Sequence, residues 1–357
     1  MPPGGGLPLR TVQKLDVGVL GATGMVGQQF VARLASHPWF SLTWLAASER
    51  SEGRRYADAA PWRLSTPMPT DAASRIVDGC VPGRGPRVVF SGLDASVAGD
   101  IEAAFAAAGH VVVSNARNFR MDPLVPLLIP EVNPDHLSLV AEQRRARGWS
   151  GAIVTNPNCS TVMLAMALAP LRPFGVRSVI VSTMQAVSGA GYPGVPSLDI
   201  LGNLVPFIGG EEEKMEAETR KILGEDGGRV PHDVTVSAHC NRVPVVDGHT
   251  LTVSVALDRR PDPAEVAEAM RTFESRPQNL GLPTAPRPPL LVMDEVNRPQ
   301  PRLDVERGHG MTVCIGRIRS CRVLTTRFVV LGHNTVRGAA GAAILNAELM
   351  EADGLLG

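Results

Sequence analysis

Short apolar runs alternate with stretches of helical spacing as far as Pro170, and beyond that point the character of the chain changes. The runs Leu15–Leu20, Ser41–Ala47, Arg87–Ser91, His110–Ser114 and Gly151–Thr155 read as strands, while Gln28–Leu34, Ala95–Ala108 and Val162–Leu168 read as helices. Alternating β and α elements of this kind predict a parallel, doubly wound sheet. The later part predicts a strand from Ser178, a flexible loop Ser188–Gly194 and a strongly charged helix Glu211–Leu223, by default a solvated face. It also predicts a short helix from Pro263, a hairpin of Thr312–Arg319 with Thr325–Leu331, and a final helix to about Leu349.

Two further strands, Val234–Val246 and His249–Leu257, flank Asp247-Gly248, which reads as a two-residue hairpin turn. Strand alternation then puts Arg242 and His249 on one face, with their backbones ~13 Å apart along the strands. His239 falls on the opposite face and reads as structural. Residues 52–86, 122–133 and 261–310 are Pro-punctuated and aperiodic, and Asp58–Arg63 receives no assignment.

A chain of 357 residues exceeds most single cores, so two domains are expected. Lys+Arg and Asp+Glu both number 35, which excludes bulk binding of nucleic acid. The five cysteines are odd in number and never form a CxxC pair, arguing against a disulfide framework or a metal site and for the cytosol. Apolar runs fall short of a membrane span of ~18 residues. Residues 1–14 read as a disordered tail without a signal-peptide core.

Four stretches carry chemistry. Gly21-Ala22-Thr23-Gly24-Met25-Val26-Gly27 lies between a strand and a helix, the context of a dinucleotide fingerprint; a tight turn without a ligand is the bland alternative. After the second strand come Ser48, Glu49, Arg50, Ser51 and Arg54, hydroxyls and guanidinium groups that suit a 2′-phosphate and favour NADP over NAD, against a solvated loop. Ser91, Ser114 and Asn115 end later strands at the ligand edge, with Arg117 and Arg120 in the loop beyond as anion holders or solvated side chains. Thr155-Asn156-Pro157-Asn158-Cys159-Ser160-Thr161 places Cys159 in the first turn of a buried helix, where free N–H groups favour a thiolate and can receive an oxyanion. The bland reading is a small buried apolar cysteine.

Together these motifs resemble the aspartate-semialdehyde dehydrogenase family over nearly the whole chain, in its archaeal and fungal branch. The resemblance rests on Gly21–Gly27, Pro157-Asn158-Cys159-Ser160, Gln185–Gly189, Arg242–His249 and Asn334-Thr335-Val336-Arg337-Gly338. It departs at Asp94, where relatives usually carry Pro. It implies a Rossmann domain (15–156) completed by the last helix (335–357), and a catalytic α+β domain (157–334) that dimerises through its sheet. It further implies Cys159 as the nucleophile forming a thioester, His249 as general base and acid, and Gln185 as an orienting group. Arg242 would clamp the substrate's α-carboxylate, Glu212 in preference to Glu211 would meet its amino group, and Lys214 and Arg120, with Asn115 beside them, would hold phosphate. Ser48, Arg50 and Ser51 would take the 2′-phosphate of NADP, with Ser91, Ser188, Gly189 and Asn334 near the rest of the cofactor. The implied reaction is reductive dephosphorylation of L-4-aspartyl phosphate to L-aspartate 4-semialdehyde, on the route to Lys, Met, Thr and Ile, in a homodimer or homotetramer.

Within the same chemistry, N-acetyl-glutamyl-phosphate reductase and malonyl-CoA reductase are the alternatives; a Cys-His hydrolase would leave the glycine turn unexplained, and a non-catalytic NADP sensor would leave Cys159 dispensable. A short-chain dehydrogenase needs Lys four residues after Tyr, and Tyr56 and Tyr192 are followed there by Ala60 and Pro196.

Overall fold

The computed structural model describes residues 13–357, so most of the tail 1–14 lies outside the described residues. Two six-stranded sheets organise the chain. The first comprises β1 (Leu15–Leu20), β2 (Phe40–Ala47), β3 (Asp78–Gly79), β4 (Val88–Ser91), β5 (Val111–Ser114) and β6 (Ala152–Thr155), in the order β3-β2-β1-β4-β5-β6. All its pairs are parallel. The last three strands are buried at every residue, as expected when helices cover both faces. Phe90 stacks on Phe30 and meets Phe40 edge-on within this core, which the terminal helix Gly341–Ala352 joins through Ile344, Leu345, Leu349 and Met350.

The second sheet is mixed. It contains β7 (Val176–Gln185), β8 (Thr235–Arg242), β9 (His249–Leu257), β10 (Leu290–Met293), β11 (Val313–Ser320) and β12 (Thr326–Gly332), ordered β10-β11-β12-β9-β7-β8. Burial alternates residue by residue along β8 and β9, so one face is covered and the other open. The covered face packs against the helix Cys159–Leu168, whose residues Ser160–Leu168 are buried all round. A helix apolar on every side belongs inside a protein.

The expected hairpin between β8 and β9 does not form. β7 lies between them, parallel to β8 and antiparallel to β9. The chain after Arg242 continues beside β7's extension instead of turning back: Val243 N donates to Gln185 O, Val187 N to Val245 O and Ser188 N to Val246 O. Asp247-Gly248 therefore carries the chain over the end of β7. A turn dipeptide is compatible with a hairpin, but only pairing of the flanking strands makes one. The β11–β12 hairpin does form, and His239 lies exposed on the open face.

The aperiodic segment 52–86 braces the glycine turn. Tyr56 Oη donates to Ala22 O at 2.8 Å, and Gln28 joins Thr23 O, Pro61 O and Arg63 N. Arg63 reaches further, its guanidinium 3.4 Å from the ring centre of Tyr192 in the second half of the chain.

Candidate active site

A cleft of about 660 Å³ runs from Met25 and Val26 of the glycine turn to Cys159 and Gln185, between the two sheets. At its nucleotide end, the helix Met25–Leu34 begins at Gly24 with no side-chain cap. Its first N–H groups are thus left for an anion, and Met25 and Val26 face the cleft. Gly27 cannot carry a side chain, since a Cβ there would meet Gly21 O at 2.1 Å; one on Gly24 would have its nearest neighbour, Gly21 O, at 3.4 Å. The outer two glycines set the turn and the middle one leaves room for a pyrophosphate, so the local structure fits a dinucleotide.

Ser48–Ser51 form a turn past the end of β2, with Ser51 N donating to Ser48 O and Arg50 exposed. Ser188, Gly189, Asn115 and Asn334 line the cleft. Asn334 ties two loops together: its Oδ1 accepts from Gly248 N and its Nδ2 donates to Ser188 Oγ. Ser91 departs from expectation. It is fully buried, and its hydroxyl turns to the strand end, near Leu93 N and Glu102.

At the other end stands Cys159, the first residue of its helix. Asn158 caps that helix, Oδ1 accepting from the amides of Ser160 and Thr161. The Asn158 amide itself donates to Glu218 at 2.6 Å. Of the first four donors, the N–H of Cys159 is the one left for an oxyanion, so the helix end offers a single amide rather than several. Cys159 Sγ lies 3.2 Å from His249 Nε2.

The pairing register explains how His249 arrives there. Gln185 pairs with Arg242, and Met184 pairs with Thr250, the residue after His249. Gln185, Arg242 and His249 therefore form one row across β8, β7 and β9, all buried. At a strand spacing near 4.8 Å, the Arg242 and His249 backbones are ~10 Å apart across the sheet. The shared face is as expected, but the separation runs across three strands and not along a hairpin.

The electrostatics bear on both members of the pair. Burial, and then the Glu211 carboxylate, push the Cys159 thiol up to about 12, against Arg120, Arg242 and the Ser160 amide. Burial and Glu211 thus work against the helix end at this sulfur. Burial, then Arg242 and His333, bring His249 down to about 3. Burial and these two neighbours thus disfavour the imidazolium.

The charged helix Glu211–Leu223 is more than a solvated face. Glu211, Lys214, Glu218 and Lys221 recur at helical spacing and turn inward, with Glu211, Glu218 and Lys221 buried. Glu211 accepts from Lys214 Nζ and Asn158 Nδ2, both at 2.7 Å. Burial opposes its charge, but Lys214, Asn158 and Gln185 hold its carboxyl below the usual range. Glu212 points elsewhere, accepting from Cys240 N on β8 at 2.9 Å, so the preference for Glu212 is corrected to Glu211. Met215 and Ile222, two of the buried apolar residues, lie four and eleven positions after Glu211, on its side of the helix.

Arg120 lines the cleft and donates to Glu218 Oε1 and Asn115 O, while its buried Nε has no partner. Glu218 thereby joins Arg120 to the amide just before the cysteine. Arg337 and Glu131, both fully buried, make two 2.8 Å bonds that fix the loop behind Cys159, where a Cβ on Gly338 would sit 2.6 Å from Cys159 Cβ. Nothing in the spacing singles out Glu131 or Ala186, whose backbone alone takes part.

A Rossmann-type sheet opening onto a helix-borne cysteine beside an imidazole defines a class, dehydrogenases that work through a covalent cysteine adduct. Comparison with known proteins agrees. The family profiles "Semialdehyde dehydrogenase, NAD binding domain" and "Semialdehyde dehydrogenase, dimerisation domain" match residues 16–140 and 168–337. Aspartate-semialdehyde dehydrogenase of Archaeoglobus fulgidus is 53% identical over 344 residues, covering 94% of this chain and 98% of the relative. The Methanothermobacter thermautotrophicus protein of that name is 54% identical over 343 residues, covering 94% and 99%. The crystal structure of the Candida albicans enzyme with NADP superimposes with a TM-score of 0.88 at 43% identity, covering 96% of this chain and 100% of that one. The chain belongs to the aspartate-semialdehyde dehydrogenase family.

Proposed function

We infer that this protein catalyses the NADP-dependent, reversible reductive dephosphorylation of L-4-aspartyl phosphate to L-aspartate 4-semialdehyde. The observation that carries this reading is Cys159, 3.2 Å from the buried His249, in one cleft with uncapped helix amides at one end and Arg242, Glu211 and Lys214 at the other. Bound along the glycine turn, NADPH supplies the hydride. Ser48, Arg50 and Ser51 take the 2′-phosphate, and Gly21, Ala22, Thr23 and Gly24 shape the turn beneath the pyrophosphate.

Cys159 attacks the acyl carbon and is acylated, with the Cys159 amide and His249 beside the developing oxyanion. Arg242 donates Nη1 to Ala186 O at 2.7 Å, which leaves Nε and Nη2 for the α-carboxylate. Glu211 meets the α-amino group, and Lys214 with Arg120 holds the phosphate. Gln185 sits within 3.4 Å of Glu211 and orients the acyl group. An acyl chain bearing both a free amine and a carboxylate matches Glu211 and Arg242 better than an N-acetylated or CoA-linked acyl group does.

The core packing supports a nucleotide domain of 15–156 with 335–357 and a catalytic and dimerisation domain of 157–334. The open face of the mixed sheet, with Ile180 half exposed, is the surface we assign to a second copy. No helix among the described residues is long and apolar enough to cross a membrane, and we assign the enzyme to the cytoplasm.

The test is phosphate-dependent reduction of NADP with L-aspartate 4-semialdehyde, run against NAD and against N-acetyl-glutamate semialdehyde. Turnover that ignores phosphate, or that prefers the acetylated substrate, would overturn the reading.

A further inference from the structure

We propose that Glu218 is a positioning residue for the phosphate end of the site, setting the reach from Arg120 to Cys159 by binding the arginine with one carboxylate oxygen and the amide before the cysteine with the other. The proposal rests on the reading of Arg120 as a phosphate holder and of Cys159 as the nucleophile. Glu218 Oε1 accepts from Arg120 Nη1 at 3.0 Å, and Oε2 accepts from Asn158 N at 2.6 Å. Both bonds are charge-assisted, and at 2% exposure the carboxylate is out of reach of bulk water. Asn158 is the N-cap of the helix that Cys159 opens, its side chain holding the Ser160 and Thr161 amides. The carboxylate therefore spans from a side chain in the loop after β5 to the cap of the nucleophile's own helix.

The rest of Arg120 is held to match. Its Nη2 donates to Asn115 O at 2.8 Å, so two bonds to different partners set the plane of the guanidinium. Its main-chain oxygen accepts from Lys221 Nζ at 2.8 Å, and the same ammonium binds Asp122 O and Val125 O at 2.8 and 3.0 Å. Glu218 and Lys221 stand about one turn apart on the helix Glu211–Leu223. Seven positions before each come Glu211 and Lys214, which line the cleft themselves. Seven residues make about two turns, so one helix face presents two groups to the substrate directly and holds a third, Arg120, through the next two.

A carboxylate that only neutralised a buried arginine would need its charge but no particular length. Glu218 needs both, because its two oxygens answer two separate donors. A glutamine has a single acceptor oxygen, and its NH2 would be set against the other donor. An aspartate keeps the charge and both acceptors but is one methylene shorter, so it cannot hold both partners where they stand.

The test uses the full-length protein with NADP, L-aspartate 4-semialdehyde and inorganic phosphate. In Glu218→Gln and Glu218→Asp alike, KM for phosphate should rise about tenfold, the worth of one charge-assisted hydrogen bond, while KM for the semialdehyde moves less. The burst of NADPH formed before phosphate is added should keep its amplitude in both variants, and NADP titration checks that both are folded. An unchanged phosphate KM in either variant overturns the proposal; in Glu218→Asp it would mean that charge alone is required. An equal rise in the two KM values with the burst lost also overturns it, since Glu218 would then support the site as a whole. Phosphate-independent turnover by the wild-type protein would instead sink the functional reading on which the proposal rests.

Discussion

The glycine turn and the cysteine–histidine pair sit at opposite ends of one cleft and are built in opposite ways. The turn is local: a strand, seven residues and a helix make it, and the groups it offers are backbone amides. The pair is assembled from residues 90 positions apart, on a helix and on a strand of a different sheet. Parallel strands buried on both faces put every loop at the same edge, so loop order in sequence translates into position. In the mixed sheet, partner choice is decided by the ends of several strands at once. A local site tolerates small errors elsewhere in the fold, and an assembled one does not.

The sharpest way to break this contrast is at the sulfur. Cys159→Ser should lower turnover by about three orders of magnitude or more while NADP titration stays unchanged; a parallel loss of NADP binding would show that the two ends are one unit. Gly338→Ala forces a methyl against Cys159 Cβ, where the space is 2.6 Å. Turnover should fall on the order of 100-fold, the scale of an ~1 Å misplacement, with nucleotide binding again retained. Full activity would mean that the assembled end yields more readily than its packing suggests.

Arg242→Lys should raise the semialdehyde KM about tenfold, since the planar fork is lost while the charge stays, and kcat should move less. A changed kcat at constant KM would move Arg242 from binding to the chemical step. Acid should weaken the assembled end first. His249 folds at about 3 against an ordinary 6.5, so the unfolded chain binds the proton that the native one refuses. Stability is complete above pH 6.5 and falls as pH drops from 6.5 towards 3, by about 1.4 kcal/mol per unit. Urea midpoints at pH 7 and pH 5 should show that slope, reduced in His249→Gln. The smallest effect distinguishes neighbours. Glu211→Gln should raise KM, whereas Glu212→Gln should leave KM alone and cost about 1 kcal/mol through the Cys240 amide.

Much of this was legible beforehand because it is written in short stretches. The strand–turn–helix order marks the nucleotide end, and Pro157 followed by capping residues marks the catalytic helix. The segment 52–86 was opaque because its partners, Ala22 and Gln28, are not its neighbours in sequence. Glu211 could have been chosen over Glu212 by helical spacing alone, but acidic residues in a row hide the period. Ala186 carried no signal, because an alanine contributes only its backbone there.

The sequence by itself determined the class of the first sheet, the glycine turn and the helix that bears Cys159, all of which follow from local propensity and from the periods of strand and helix. Only the tertiary structure decided that β7 separates β8 from β9 and sets Gln185, Arg242 and His249 in one row, and that burial pushes the Cys159 thiol up and the His249 imidazole down. Strand order and burial are sums over distant residues, and a pKa is set by whichever groups that sum brings within a few ångströms.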